Sequence, residues 1–318
     1  MSLQFVFLTI FLGFLFGQIL RYTLPSRIEL IRDIAVYTSL RIAIPISIIG
    51  SIWALKIESG ALILLPIVGA GVLLSGLLLG IIISYLQKLT PIQRGVVGPS
   101  AAYTNIGGVG AFVVFSFLGE EGFALVPLYK LFEELIYFGI LFPFAARHSQ
   151  EKSIVSRKWW QDSVIQIMLM SLVIGFGLNI SGIYRPEFVS NILDYTIPFG
   201  AFSMMLGTGI IFQFNNLAKN VDTALPIALL KPIVLFIVAM VLIYVLGIQN
   251  QANHKLMIGV CIILAIMPTA FLASIPASIY KLDIDLANTI WVISTGLFFI
   301  MLPFIPSIVQ YTINILHY

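Results

Sequence analysis

Charged residues are scarce in this chain of 318 residues. Only 10% are Asp, Glu, Lys or Arg, against about 25% in an average soluble domain. Hydrophobic residues make up 59%, and the mean hydropathy is +1.05. This composition excludes an ordinary soluble globular protein.

Cysteine and histidine are nearly absent as well. The single cysteine, Cys261, excludes an internal disulfide, and the histidines His148, His254 and His317 lack the spacing of metal ligands. The chain contains no G-x-x-x-x-G-K-[ST] motif. We therefore expect neither a metal nor a cofactor.

The basic residues form no cluster that would suit a nucleic acid. The formal net charge is +3 and the pI is near 8.9, but the 17 Lys and Arg residues are scattered singly between apolar segments. Membrane topology explains this distribution better than a nucleic-acid partner does.

Apolar runs of about 20 residues follow one another along the chain, each long enough to cross a bilayer. They predict an all-α polytopic membrane protein, with the lipid bilayer as its surroundings. The ten predicted spans are 3–20, 32–54, 61–85, 95–118, 123–146, 162–181, 190–211, 223–246, 255–279 and 285–309.

The basic residues between the spans predict the orientation. Eleven lie in the loops after odd-numbered spans and three on the opposite side, which holds both termini. Because cytoplasmic loops carry the excess of Lys and Arg, we expect both termini outside and the 147–161 loop in the cytoplasm. The predicted location is the plasma membrane (the cell inner membrane).

The chain resembles itself at a spacing near 160 residues. Five helices in each half would make the second half enter the membrane from the opposite side, which is an inverted repeat. We therefore predict a first repeat at 1–146, a cytoplasmic linker at 147–161 and a second repeat at 162–318. The matched pairs are Gly13-Phe14 with Gly175-Phe176, Tyr37-Thr38 with Tyr195-Thr196, Pro66-Ile67-Val68 with Pro232-Ile233-Val234, and Leu141-Phe142-Pro143-Phe144 with Met301-Leu302-Pro303-Phe304.

Helix breakers stand in the middle of the fourth and ninth predicted spans. The fourth has a glycine cluster after Thr104 and Asn105, and the ninth has Pro268 and Pro276. Matched broken helices are typical of transporter sites, where the N-termini of half-helices attract anions. The alternative is that the glycines permit close packing and the prolines only bend the helix. The predicted substrate-binding residues are Thr104, Asn105, Gly107, Gly108, Gly110, Pro268, Thr269 and Arg41.

Five ionisable residues lie deep within spans, away from the ends: Arg41, Lys130, Glu133, Glu134 and Lys231. Lys130 can reach either glutamate on its helix, so one hypothesis is that these residues form only a local ion pair. The other hypothesis is that the surplus carboxylate favours its protonated form in low dielectric, so that Glu133, Glu134 and Lys130 form a proton-coupling group. Lys231 is expected to snorkel to the cytoplasmic surface. Arg41 is expected to complete an anion site or to pair with the spare glutamate.

Over essentially its whole length the chain resembles the auxin efflux carrier (AEC) family, as a microbial-type member. The segment TNIGGVGAFVVFSFLGEEGFALVPLY is similar to the family's G-N-T-G-x-x-G segment with its acidic loop, and MPTAFLASIPASIYKLDIDLANTIWVISTGLFFIMLP is similar to its last two helices. Phe112 replaces a usual proline, and Phe271 or Leu272 stands where a polar asparagine is frequent. The matching residues are Asn105, Gly107, Gly110, Met267, Pro268, Ala270, Tyr280, Ser294, Thr295 and Pro303.

The resemblance implies ten helices, with broken helices 4 and 9 crossing, and a secondary carrier of a small organic anion, a carboxylate, working by alternating access. Auxin itself is not implied. Alternatives are a proton- or sodium-coupled symporter or antiporter of the bile-acid-symporter type and a non-transporting membrane sensor. An enzyme is not expected, since no histidine lies inside a span. The substrate, the coupling ion (proton, sodium or none), the direction and the oligomeric state, including a homodimer, stay open.

Overall fold

The computed structural model describes residues 3–57, 60–149, 163–214 and 217–316, and these residues are almost entirely helical. Short 3-10 and π-helical turns connect or extend the α-helices. The α-helices are α1 (Leu3–Thr23), α2 (Ile28–Thr38), α3 (Ile44–Trp53), α4 (Leu64–Leu86), α5 (Pro91–Ala102), α6 (Ala111–Tyr129), α7 (Glu133–Ile136), α8 (Phe142–Arg147), α9 (Ser163–Ile180), α10 (Phe188–Ile211), α11 (Val221–Val245), α12 (His254–Ala265), α13 (Ile275–Ile279), α14 (Ile284–Met301) and α15 (Ile305–Leu316).

Seven helical stretches of the described residues are long and apolar enough to cross a membrane. The fold is therefore that of a helical, polytopic membrane protein. The stretches are Gln4–Thr23, Pro25–Trp53, Gly60–Leu86, Ile106–Arg147, Ser163–Ile180, Leu217–Val245 and Ile284–Leu316.

Helices lie in all ten segments that the sequence predicts, but several are not continuous. The fifth, predicted as one helix over 123–146, is interrupted at 130–132. π-helical turns occupy Ser39–Ala43 and Tyr137–Leu141, each shortly before a proline, Pro45 or Pro143. A proline ring clashes with the carbonyl four residues earlier, and a wider turn relieves that clash.

The chain divides into two compact units, and neither coincides with a predicted half. Unit 1 consists of 1–60, 107–127 and 160–212, and unit 2 consists of 61–106, 128–159 and 213–318. Each unit takes helices from both predicted halves. In unit 1, α1 of the first half packs against α10 of the second, and in unit 2, α4 packs against α11. Of the predicted linker, 150–161 lies outside the described residues.

Unit 1 is held together by close helix pairs. A Cβ at Gly17 would overlap the Leu206 carbonyl oxygen, so only glycine lets α1 approach α10 this closely. Gln18 Nε2 donates to the carbonyl oxygens of Gly209 and Phe212, at 2.6 and 2.9 Å. A side-chain amide thus caps the C-terminal end of α10 against α1.

Unit 2 packs α4, α5, α11 and α14 around the interrupted helices. A Cβ at Gly76 would lie 2.6 Å from the Ala101 carbonyl oxygen, so α4 lies directly against the C-terminal end of α5. Thr90 begins α5 with a capping box, in which its side chain and that of Gln93 satisfy each other's backbone amides. α5 is therefore fixed at both ends.

Candidate functional site

The first broken helix of unit 2 ends where α5 gives way to extended backbone. α5 contains Pro99 and ends at Ala102, and Tyr103 then takes extended backbone angles, φ −82° and ψ 112°. The predicted interruption of the fourth span is present, but it falls at 103–105. The glycines that suggested it follow in a π-helical turn, Ile106–Gly110.

The second broken helix is interrupted at its proline. α12 ends at Ala265, and helical structure resumes in a 3-10 turn at Phe271–Ser274 that leads into α13. Pro268 has no backbone N–H and disfavours helical angles at the residue before it. The prediction from Pro268 is confirmed, whereas Pro276 lies in the first turn of α13, where a proline is tolerated.

The two interruptions meet and satisfy each other. Thr104 and Thr269 form an isolated antiparallel bridge. The Asn105 backbone N–H donates to the Pro268 carbonyl at 2.8 Å, and the Ala270 N–H donates to the Tyr103 carbonyl at 3.0 Å. Unpaired backbone groups at bilayer depth are costly, so each break supplies the partners that the other needs. We call this pairing of 103–105 with 268–270 the crossover.

Lys231 of α11 lies buried against the crossover, with 1% of its surface exposed. Its ammonium Nζ donates to the Tyr103 carbonyl at 2.9 Å, to Thr269 Oγ1 at 3.1 Å and to the Ser100 carbonyl at 3.3 Å. The expectation that Lys231 snorkels to the cytoplasmic surface is therefore wrong. The oxygens at the helix break provide at depth the partners that the ammonium would otherwise seek in water.

No carboxylate in the described part of the chain pairs with Lys231. An ammonium has three donors, and all three are engaged by neutral oxygens. A protonated Lys231 therefore places at the crossover a positive charge that no carboxylate of the described residues balances. In low dielectric such a charge attracts an anion strongly.

A cavity of about 220 Å³ adjoins this charge. Its polar lining comes from Lys231 and Ser294, and apolar side chains such as Leu297 and Phe298 complete the wall. At roughly 30 Å³ per water, the space accepts about seven water molecules or a small organic molecule. Its chemistry suits a compact ligand with one anionic end and an apolar body.

Among the described residues of unit 2, four buried hydroxyl oxygens have no hydrogen-bond partner: those of Tyr129, Ser100, Thr104 and Thr295. Ser100 and Thr104 flank the break after α5, and Thr295 follows the cavity residue Ser294 in α14. Unpartnered buried hydroxyls are uncommon and costly. They are groups that a bound ligand or water can satisfy.

A second charged group lies at the interruption of the fifth span. Lys130 and Glu133 form an ion pair, with Nζ and Oε2 3.0 Å apart, and Glu133 is 3% exposed. The predicted local pair is thus present, and Glu134 is half-buried beside it. Glu133 also begins α7, where the helix dipole favours a negative charge.

Tyr137 lies between this charged group and the crossover, and no sequence pattern indicated it. Its ring packs against Tyr103 at a centroid distance of 4.4 Å, tilted by 30°, and its hydroxyl donates to the Leu272 carbonyl. Tyr137 lies one turn after Glu133. Its backbone N–H donates to the Glu133 carbonyl, so Tyr137 contacts both the helix of the ion pair and the crossover.

The predicted binding residues fall into two groups. Thr104, Asn105, Pro268 and Thr269 come together at the crossover. The predicted glycines belong to unit 1, in which Gly107 is exposed and Gly108 and Gly110 are buried. The Arg41 side chain, also of unit 1, is exposed, donates to Ser163 Oγ at 2.8 Å and lies over the Tyr37 ring.

No protein-family model matches the chain, and no curated protein matches it.

Proposed function

We propose that the chain is a secondary active transporter that moves a small organic anion across the membrane by alternating access. One observation carries the proposal: a buried, uncompensated lysine lies at the meeting point of two interrupted helices and lines a cavity. Interrupted helices at membrane depth are costly unless they form a site. Lys231 gives that site its preference for an anion.

The cavity supports a more specific substrate class, a monocarboxylate with an apolar body. The Lys231 charge attracts the carboxylate, Ser294 offers a hydroxyl, and Leu297, Phe298 and Met301 pack against the remainder. A dianion would bring a second charge against apolar side chains, which is unfavourable.

We propose further that ten spans form an inverted repeat. The packing supports this, because Gly13 of α1 contacts α10 at Phe202, while its repeat partner Gly175 of α9 contacts α3 at Ile52. The first contact joins predicted spans 1 and 7, the second joins spans 6 and 2, and the repeat relates span 1 to span 6 and span 2 to span 7. The crossover likewise joins equivalent positions, because Thr104 and Thr269 are 165 residues apart.

Membership of the AEC family is part of the proposal and rests on the sequence motifs around Asn105 and Pro268. We retain with it the plasma membrane as the location and both termini outside, on the distribution of Lys and Arg.

Proton coupling through Glu133 or Glu134 is the coupling mechanism we propose. The interruption at 130–132 supports it, because it places Glu133 within unit 2, one turn from Tyr137 and the crossover. Protonation of the carboxylate would release Lys130 and loosen the position of Tyr137.

Uptake into proteoliposomes tests the proposed function. Wild-type protein, Lys231→Gln and the exposed control Lys219→Gln are assayed with labelled monocarboxylates and their neutral amides. We expect uptake of at least one carboxylate and not of its amide, a loss of tenfold or more in Lys231→Gln, and no change in Lys219→Gln. Equal uptake by wild-type protein and empty liposomes across the panel, or uptake in Lys231→Gln equal to wild type, would contradict the proposal.

A further inference from the structure

The groups around the Lys231 Nζ are neutral oxygens, of the kind that also bind cations. Two backbone carbonyls and one hydroxyl converge on Nζ, from Ser100, Tyr103 and Thr269. Neutral oxygens of this kind are the ligands that hard cations prefer. Thr269 Oγ1 itself donates to the Ser100 carbonyl at 2.9 Å, which orients its lone pairs.

The break after α5 needs a positive charge at this point. The last carbonyls of a helix have no intrahelical partner and carry the negative end of the helix dipole. Tyr103 accepts one crossover hydrogen bond from Ala270, and its carbonyl and that of Ser100 then converge on one position. In a buried site, a cation there stabilises the break directly.

We propose that Lys231 is a built-in cation that fills a monovalent-cation site at the crossover, so that the wild-type protein binds no sodium there. The inference deepens the proposed transport function, since it assigns the cation of that same site and excludes a sodium ion from it. Because all three donors of the ammonium are used, Lys231 acts on an anion in the cavity by charge and positions the crossover rather than binding the ligand directly.

Shortening the side chain should convert the site into one for a free cation. In Lys231→Ala the three oxygens lose the ammonium and keep only their hydrogen bonds to one another and to Ala270, and the removed methylenes leave space that adjoins the 220 Å³ cavity. A sodium ion, or propylammonium as the missing part of the side chain, can enter through that cavity. Thr269→Val removes one of the three ligands and should weaken the restored binding.

Thermal unfolding in nanodiscs provides a test that needs no substrate. Wild-type protein, Lys231→Ala and Lys231→Ala/Thr269→Val are compared in sodium, propylammonium and N-methyl-D-glucamine chlorides at equal ionic strength. We expect Lys231→Ala to unfold about 5 °C or more below wild type in N-methyl-D-glucamine. Sodium or propylammonium should recover at least half of that loss, and recovery should be smaller in the double variant. The Tm of the wild type should not depend on the cation.

Two further variants control for folding. Lys231→Gln keeps two N–H donors and should fold without responding to cations, and Lys219→Gln should behave as wild type. Sodium stabilisation of the wild type would overturn the proposal. So would a Lys231→Ala protein that responds to neither cation or that stays unfolded in every salt. Each result is independent of uptake, so a failure of the transport proposal can be told apart from a failure of this one.

Discussion

Two buried lysines of unit 2 lie beside interrupted helices, and they are neutralised in opposite ways. Lys130 pairs with Glu133 three residues along its own chain, whereas Lys231 has only neutral oxygens, supplied by Ser100, Tyr103 and Thr269 from distant parts of the sequence. Lys130 has a carboxylate partner, and Lys231 has none among the described residues. The net charge around each lysine therefore depends on its partners and not on the lysine alone.

The largest expected effect separates the two lysines. Lys231→Met should reduce anion uptake by about a hundredfold, since it removes the charge and one of the two donors to each of the Ser100 and Tyr103 carbonyls. The double variant Lys130→Met/Glu133→Gln should retain substrate exchange within about threefold, because both members of the ion pair are removed together. Uptake and exchange in proteoliposomes, normalised to folded protein, measure the two effects. Equal losses in the two variants would remove the distinction.

The second prediction concerns proton coupling at Lys130 and its neighbouring glutamates. Glu→Gln imitates the protonated carboxyl, so Glu133→Gln or Glu134→Gln should flatten the pH dependence of uptake severalfold while substrate exchange persists. Uptake under imposed pH and sodium gradients measures this. If the pair only braces the interrupted helix, stability will fall and the shape of the pH profile will be unchanged.

The third prediction compares the two threonines of the crossover. Thr269→Val removes a partner of Lys231 and the donor to the Ser100 carbonyl, and should lower stability by about 2 kcal/mol. Thr104→Val removes a hydroxyl that has no partner, so its stability should match or exceed that of wild type. Thermal unfolding of the matched pair measures the difference. A more harmful Thr104→Val would show that its hydroxyl is already engaged.

The smallest effect is expected at the link between the two regions. Tyr137→Phe keeps the ring on Tyr103 and removes only the hydrogen bond to the Leu272 carbonyl, at a cost of about 1 kcal/mol. It should also weaken the pH dependence of uptake, since the side chain connects Glu133 to the crossover. A stability change without any change in the pH profile would mean that Tyr137 serves packing alone.

The sequence predicts those features of this fold that local chemistry determines. Apolar runs indicate the membrane helices, Pro268 marks the interruption of the ninth span, and the three-residue spacing of Lys130 and Glu133 predicts their pair. Each depends on residues within one turn or on backbone geometry at a single position.

Long-range partners were beyond prediction from sequence. Lys231 lies about nine residues inside its predicted span, at roughly 1.5 Å per residue, and that distance favours snorkelling unless acceptors are known nearby. Its acceptors are backbone carbonyls, which carry no residue-type signal. The glycines 107, 108 and 110 indicated an interruption of the fourth span but misplaced it by a few residues, because a glycine cluster also permits a π-helical turn.

The electrostatic sign of the cavity can be measured without knowing the substrate. In a protein with Cys261 replaced by Ser, Leu297→Cys places a single thiol in the cavity wall. The rates at which an anionic and a cationic methanethiosulfonate label this thiol are compared, each corrected for the reactivity of the reagent in water. The fraction of the introduced thiol that is thiolate affects both rates equally, so the ratio of the two rates does not depend on it. We expect the anionic reagent to react at least about ten times faster and Lys231→Gln to bring the ratio near one. A faster cationic reagent, or a ratio unchanged by Lys231→Gln, would contradict the claim that this lysine makes the crossover an anion site.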